Sequence, residues 1–69
     1  MDVLIAILLY LGLLNTQQTY TTDGFTTIAA LNSESVLYVS ADTTSMRIVT
    51  DVYLPQVSFV EIVDRGSGN

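Results

Sequence analysis

The feature that most constrains this chain is an apolar run at its N-terminus. Every side chain of residues 3–14, from Val3 to Leu14, is aliphatic, glycine or tyrosine. Water does not tolerate such a run exposed, so it must enter a bilayer, a partner protein or the core of its own chain. The run is shorter than the about 20 apolar residues that a membrane-spanning helix needs. Periodicity does not separate a buried helix from a buried strand here, because every position is apolar.

Three placements of this run therefore stay open. The first is shallow contact with lipid through residues 3–14, the second is a helix buried on its own domain or on neighbouring chains, and the third is a strand. The flanks argue against a cleaved secretory signal, because Asp2 stands where such signals carry positive charge and no small-residue cleavage site follows. Among regular structures a helix is favoured, with Asp2 as its N-cap and its end at Leu14.

Size and composition narrow the classes of function. The chain has 69 residues, enough for one domain with a marginal core, and it contains neither cysteine nor histidine. This composition excludes disulfides, thiolate or imidazole metal sites and nucleophile–histidine catalysis. The formal net charge is −5 with Arg47 and Arg65 as the only cations, which argues against nucleic acid as a partner. We expect no enzyme activity, no cofactor and no metal, and we expect other protein chains as partners because association stabilises small domains.

The remainder of the sequence favours strands. Four short apolar stretches rich in Val, Ile, Thr, Tyr and Phe lie within residues 25–64, and segments with turn chemistry separate them. The sequence thus predicts a mainly β fold, in which the N-terminal helix precedes a small antiparallel β-meander of about four strands. The expected segments are an anchor or packing segment (1–15), a Thr-rich linker or arm (16–24), the β-meander (25–64) and a flexible tail (65–69).

Both faces of the predicted sheet are largely apolar, although a sheet on the surface of a monomer usually has one polar face. The N-terminal helix covers one face in this interpretation, and the other face requires a second chain; a β-barrel closed on itself is the alternative. In the hairpin register that we expect, Arg47 lies opposite Asp64 as a cross-strand ion pair. The residues expected at the interface with other chains are Leu4, Ile7, Leu8, Leu11, Leu37, Val39, Val49, Tyr53, Val60 and Ile62.

These observations favour a non-enzymatic structural or assembly subunit that packs against other chains, as a homo-oligomer or on a larger scaffold. A minor capsid or capsid-membrane protein of a virion is the preferred form of this hypothesis. The alternative is a membrane-anchored small β-domain that serves as a binding module, and a secreted β-domain is a third interpretation. The expected location is accordingly a virion or a membrane.

Overall fold

The computed structural model of this chain describes residues 2–64, and these residues are mostly helical. The fold contains four α-helices, and the last of them is followed by a π-helical turn and a 3-10 helix. Two short strands form a parallel pair. In chain order the elements are α1 (Asp2–Tyr10), β1 (Thr19–Thr21), α2 (Thr22–Leu31), α3 (Ser33–Ala41), α4 (Thr43–Ile48), the π-helical turn (Val49–Tyr53), the 3-10 helix (Leu54–Phe59) and β2 (Glu61–Val63).

The prediction of a mainly β fold with an antiparallel meander over residues 25–64 is wrong. Residues 22–59 are almost continuously helical, and the described strands have three residues each. They pair in parallel, with Tyr20 opposite Ile62. The predicted tail over residues 65–69 lies outside the described residues.

The physical reason is that tertiary packing overrides the preference of Val, Ile and Thr for strands. In α2 the buried or half-buried side chains are Phe25, Ile28 and Ala29. Their spacing of three and four positions is that of one face of a helix rather than of a strand. This face packs on α1, because Phe25 joins the same core cluster as the α1 side chains.

Two of the three segments expected as turns between strands, residues 32–34 and 42–44, lie at the ends of helices. The Asp42 carboxylate accepts a hydrogen bond from the Ser45 amide at 2.9 Å and caps α4, and the Asn32 side-chain amide donates to the Ile28 carbonyl at 2.8 Å at the end of α2. The Thr21 hydroxyl, in the predicted linker, accepts from the Gly24 amide at 3.0 Å and caps α2. Each N-cap bond satisfies an amide that the first turn of a helix leaves without a partner. The third expected turn, residues 55–56, lies inside the 3-10 helix.

Gly12 ends α1 before the predicted end at Leu14. The Leu13 amide donates to the Leu8 carbonyl at 2.9 Å, and the Gly12 amide donates to the Leu9 carbonyl at 3.0 Å. This pair of bonds is a Schellman motif, which requires a left-handed residue at the position of Gly12. Its φ of 78° meets that requirement without a steric penalty, because glycine has no Cβ.

The core of the protein is built around α1, whose residues 5–9 are all buried. One cluster joins Leu8 to Phe25 of α2, and a second joins Ile7 to Val39 of α3 and Val49 of the π-helical turn. Of the three placements left open for the apolar run, the structure shows the one inside the chain's own core. No helix within residues 2–64 has the length and apolarity required to cross a membrane.

Candidate functional site

The structure distributes the ten predicted interface residues over different surroundings. Four of them, Ile7, Leu8, Val39 and Val49, are buried in the chain's own core. Their side chains pack inside the core clusters of the chain, and their contact with a partner chain stays a prediction. The apolarity that predicted an interface here is used by the packing of α1 against the rest of the chain.

Four other residues of that set are half-buried at the edges of the core. Leu11 and Tyr53 pack against the cluster that contains Ile7, and Tyr53 also contacts the cluster around Leu8. Val60 and Ile62 pack against that latter cluster as the chain returns to form β2. These side chains complete the core and leave only part of their surface to solvent.

The two remaining residues, Leu4 and Leu37, meet at one accessible site. Leu4 lies in the first turn of α1 and Leu37 in the middle of α3, and both line a surface groove of about 440 Å³. The accessible lining of this groove is almost entirely apolar. The full set of lining residues is Leu4, Thr26, Ala29, Ala30, Ser33, Val36 and Leu37. We call this site the α2–α3 groove.

Large apolar side chains of α2 and α3 extend into solvent. Leu37, which lines the groove, is 68% exposed. Leu31 at the end of α2 is 80% exposed and Tyr38 of α3 is 79% exposed, and neither lines the groove. We call the exposed apolar surface of these two helices, which consists of the groove, Leu31 and Tyr38, the α2–α3 face. Elsewhere Phe59, Val3, Val52 and Ile48 are also exposed, but the latter three to a smaller extent. A leucine exposed alone is ordinary, whereas several beside an apolar groove are typical of an interaction surface.

Sequence reasoning missed most residues of the α2–α3 face, including Leu31, Tyr38 and Ala30. The signal that identifies them is the helical period of α2 and α3. Once Phe25 and Val39 are assigned to the buried side, a spacing of three and four residues leaves Leu31 and Tyr38 on the solvent side. A strand period of two assigns these residues to alternating sheet faces and hides the pattern.

Acidic residues lie on all three helices that line the groove. The first turns of α1, α2 and α3 contain Asp2, Asp23 and Glu34, and these helices contain no basic residue. None of the three carboxylates lines the groove itself, and Glu34 lines the hollow beside Leu11 and Tyr38 instead. Asp23 lies one turn before the lining residue Thr26. The apolar groove is therefore built from helices whose net charge is negative.

The predicted ion pair between Arg47 and Asp64 required two adjacent antiparallel strands, and residues 2–64 contain no such pair of strands. Arg47 lies in α4 and Asp64 follows β2, both exposed to solvent. Arg47 is also the only cation among residues 2–64, and it belongs to none of the helices that line the groove.

Other surface features of the described part of the chain offer less. Two hollows of about 350 and 260 Å³ lie beside Tyr38, and the smaller is lined also by Ala41 and Asp42. Hydrogen bonds from the Ser45 hydroxyl and, second, from the Ser45 amide lower the pKa of the Asp42 carboxyl. That carboxylate is thereby occupied as a helix cap. Among residues 2–64 no three acidic side chains are grouped to hold a metal ion, and no buried side-chain polar atom lacks a hydrogen-bond partner.

Comparison with known proteins gives no relative from which a role can be transferred. No protein-family model, no curated protein and no solved structure matches this chain. The functional argument therefore depends on the α2–α3 face itself.

Proposed function

We propose that this protein is a non-enzymatic assembly subunit that packs against another protein chain through the α2–α3 face. The observation that carries the proposal is the apolar α2–α3 groove with Leu37 exposed at its side. Fully burying one large apolar side chain stabilises a complex by about 1.5–3 kcal/mol. Covering Leu37, which lines the groove and is 68% exposed, would therefore contribute about 1–2 kcal/mol.

The basis of this proposal differs from that of the sequence prediction. Two apolar sheet faces and an apolar N-terminus suggested assembly, but residues 5–9 are buried and the predicted sheet is absent from residues 2–64. The α2–α3 face replaces them as the reason to expect a partner. The virion assignment has no support from the fold or from the comparisons and is not part of the proposal. Membrane association stays a prediction.

The proposal is tested on the full chain with one variant of the face and one matched control. Leu37→Gln removes an apolar side chain from the groove, and Val52→Gln removes one that is 48% exposed in the π-helical turn, outside the face. Both replacements keep a residue that is compatible with a helix. Circular dichroism first verifies that the helix content of each variant equals that of the unmodified chain.

Sedimentation velocity over a range of concentrations then measures self-association, and an anilinonaphthalene sulfonate dye reports accessible apolar surface. We expect concentration-dependent association or dye binding by the unmodified chain, a clear reduction in Leu37→Gln and little change in Val52→Gln. A chain that stays monomeric and binds dye equally with or without Leu37 would rule out the α2–α3 face as an interface.

A further inference from the structure

We infer that the α2–α3 groove receives a cationic amphipathic α-helix of a partner protein, an inference that rests on the proposed function. The groove supplies the shape for such an occupant. Its lining combines the large side chains Leu4 and Leu37 with the small side chains Ala29, Ala30 and Ser33. Small side chains allow the backbone of a second helix to approach closely, and the larger ones pack between its side chains. Amphipathic helices dock in apolar grooves of this kind through residues spaced by three and four positions.

Charge complementarity specifies the polar side of the occupant. Asp2, Asp23 and Glu34 lie in the first turns of the three helices that line the groove. Arg47, the one cation within residues 2–64, lies on α4. A helix that carries Lys or Arg beside its apolar stripe is attracted by the summed negative field of these helices, and a helix with Asp or Glu there is repelled. Such steering raises the rate of association and makes it sensitive to salt.

The same charges disfavour two other occupants. A second copy of this chain brings a formal net charge of −5 to a chain of the same charge. Like charges across an interface oppose association. Membranes with anionic headgroups repel the acidic chain in the same way. Moreover, the lining residues form a concave groove rather than a protruding apolar ridge that would enter lipid.

The test measures binding of labelled synthetic helices to the full chain by fluorescence anisotropy. The first peptide, about 14 residues or four turns long, has Leu at spacings of three and four and Lys at the other positions. The second keeps the Leu stripe and replaces Lys by Glu. The third has the composition of the first in an order that destroys the stripe, so it controls for charge without amphipathicity.

We expect the first peptide to bind at least ten-fold more tightly than either of the others, and added salt to weaken its binding. Leu37→Gln should reduce its affinity ten-fold or more, whereas Val52→Gln should leave it unchanged. Neutralising the carboxylate one turn before the lining residue Thr26 with Asp23→Asn should weaken binding by about two- to five-fold, the range of an exposed ion pair. A match to this pattern supports the inference, and binding of the shuffled peptide as strong as that of the first would overturn it.

Other outcomes separate this inference from the proposed function. Equal, Leu37-dependent binding of the Lys and Glu peptides overturns the charge assignment and leaves the α2–α3 face as an interface. A Leu37-dependent dimer that binds no peptide identifies a second copy as the occupant, which overturns the inference but not the proposed function. Leu37-dependent binding to phosphatidylcholine vesicles without peptide binding identifies lipid instead and overturns both. Absence of any effect of Leu37→Gln in every assay also overturns both.

Discussion

The rings of Tyr10 and Tyr53 meet edge to face, with centroids 5.8 Å apart and planes inclined by 78°. Tyr10 is the last residue of α1, and Tyr53 is the last residue of the π-helical turn. The Tyr10 hydroxyl also donates a hydrogen bond to the Ser45 hydroxyl oxygen in α4 at 3.2 Å. One aromatic side chain therefore connects the end of the central helix to two elements that follow it by more than 30 residues.

We predict that Tyr53→Leu lowers the free energy of unfolding by about 1 kcal/mol, the usual contribution of an edge-to-face aromatic pair beyond its buried area. Tyr10→Phe is the companion variant, because it keeps the ring contact and removes only the hydrogen bond to Ser45. Tyr10→Phe should also lower the free energy of unfolding by about 1 kcal/mol, in this case through the lost hydrogen bond. Urea unfolding of the two single variants measures the two contributions separately, because Tyr10→Phe leaves the ring contact intact. Equal stability of Tyr53→Leu and the unmodified chain would contradict the stabilising role of the ring pair.

Leu8→Ala tests whether α1 is the core of this protein. The Leu8 side chain is fully buried and belongs to the cluster with Phe25. Removing it should lower the free energy of unfolding by about 2–5 kcal/mol, which would unfold much of so small a chain at room temperature. The readout is helix content by circular dichroism during urea unfolding.

Val3→Ala serves as the control for this experiment, since Val3 lies on the same helix but is largely exposed. Its effect should be within about 0.5 kcal/mol. If Leu8→Ala were as mild as Val3→Ala, then α1 would not be packed in the chain's own core, and contact of residues 3–14 with lipid or a partner would regain support.

The positions of helix ends were visible in the sequence, but the elements they bound were not. Asp42 and Asn32 have side chains that hydrogen-bond nearby backbone groups, and the same chemistry serves a turn between strands and a cap of a helix. The four apolar stretches are rich in Val, Ile, Thr, Tyr and Phe, so propensity favoured strands. Only the contact with α1 decides between the two, and that contact joins residues far apart in the sequence.

The sequence analysis also did not predict the irregular helix that follows α4, although Pro55 explains it. Proline has no amide proton, and its ring collides with the carbonyl four residues earlier in an α-helix. The chain passes through a π-helical turn and then a 3-10 helix that has Pro55 in its first turn.

The sequence predicted only part of the candidate site. Leu4 and Leu37 were identified as interface residues, whereas Leu31 and Tyr38 require the helical period to be known.

The Asp42 carboxylate should make the stability of the fold depend on pH. Hydrogen bonds from the Ser45 hydroxyl and amide hold its pKa below the ordinary aspartate value in the folded chain. A lowered folded pKa contributes stability that is present above the ordinary pKa and is lost as the pH falls through the folded pKa. Asp42→Asn retains an acceptor for the Ser45 amide but removes this contribution.

The measurement compares thermal unfolding of Asp42→Asn and of the unmodified chain between neutral pH and strongly acidic pH. We expect the variant to be less stable at neutral pH and the difference to disappear in acid. Asp51→Asn is the matched control, because Asp51 is exposed in the π-helical turn and caps no helix in the structure. An equal pH dependence of Asp42→Asn and the unmodified chain would show that this cap does not titrate with folding.

Gly12→Ala tests the Schellman motif that ends α1. A Cβ at Gly12 would meet no atom within 4 Å, so steric overlap with the surroundings does not enter the expected effect. What remains is the left-handed backbone with a φ of 78°, which disfavours an L-residue by about 1–2 kcal/mol. We expect urea unfolding to show a loss of that size for Gly12→Ala and a smaller loss for Gly12→Asn, because asparagine tolerates this conformation better than alanine. Equal losses in the two variants, or none, would mean that the end of α1 is fixed by the packing of Leu13 and Leu14 in the core and not by the glycine.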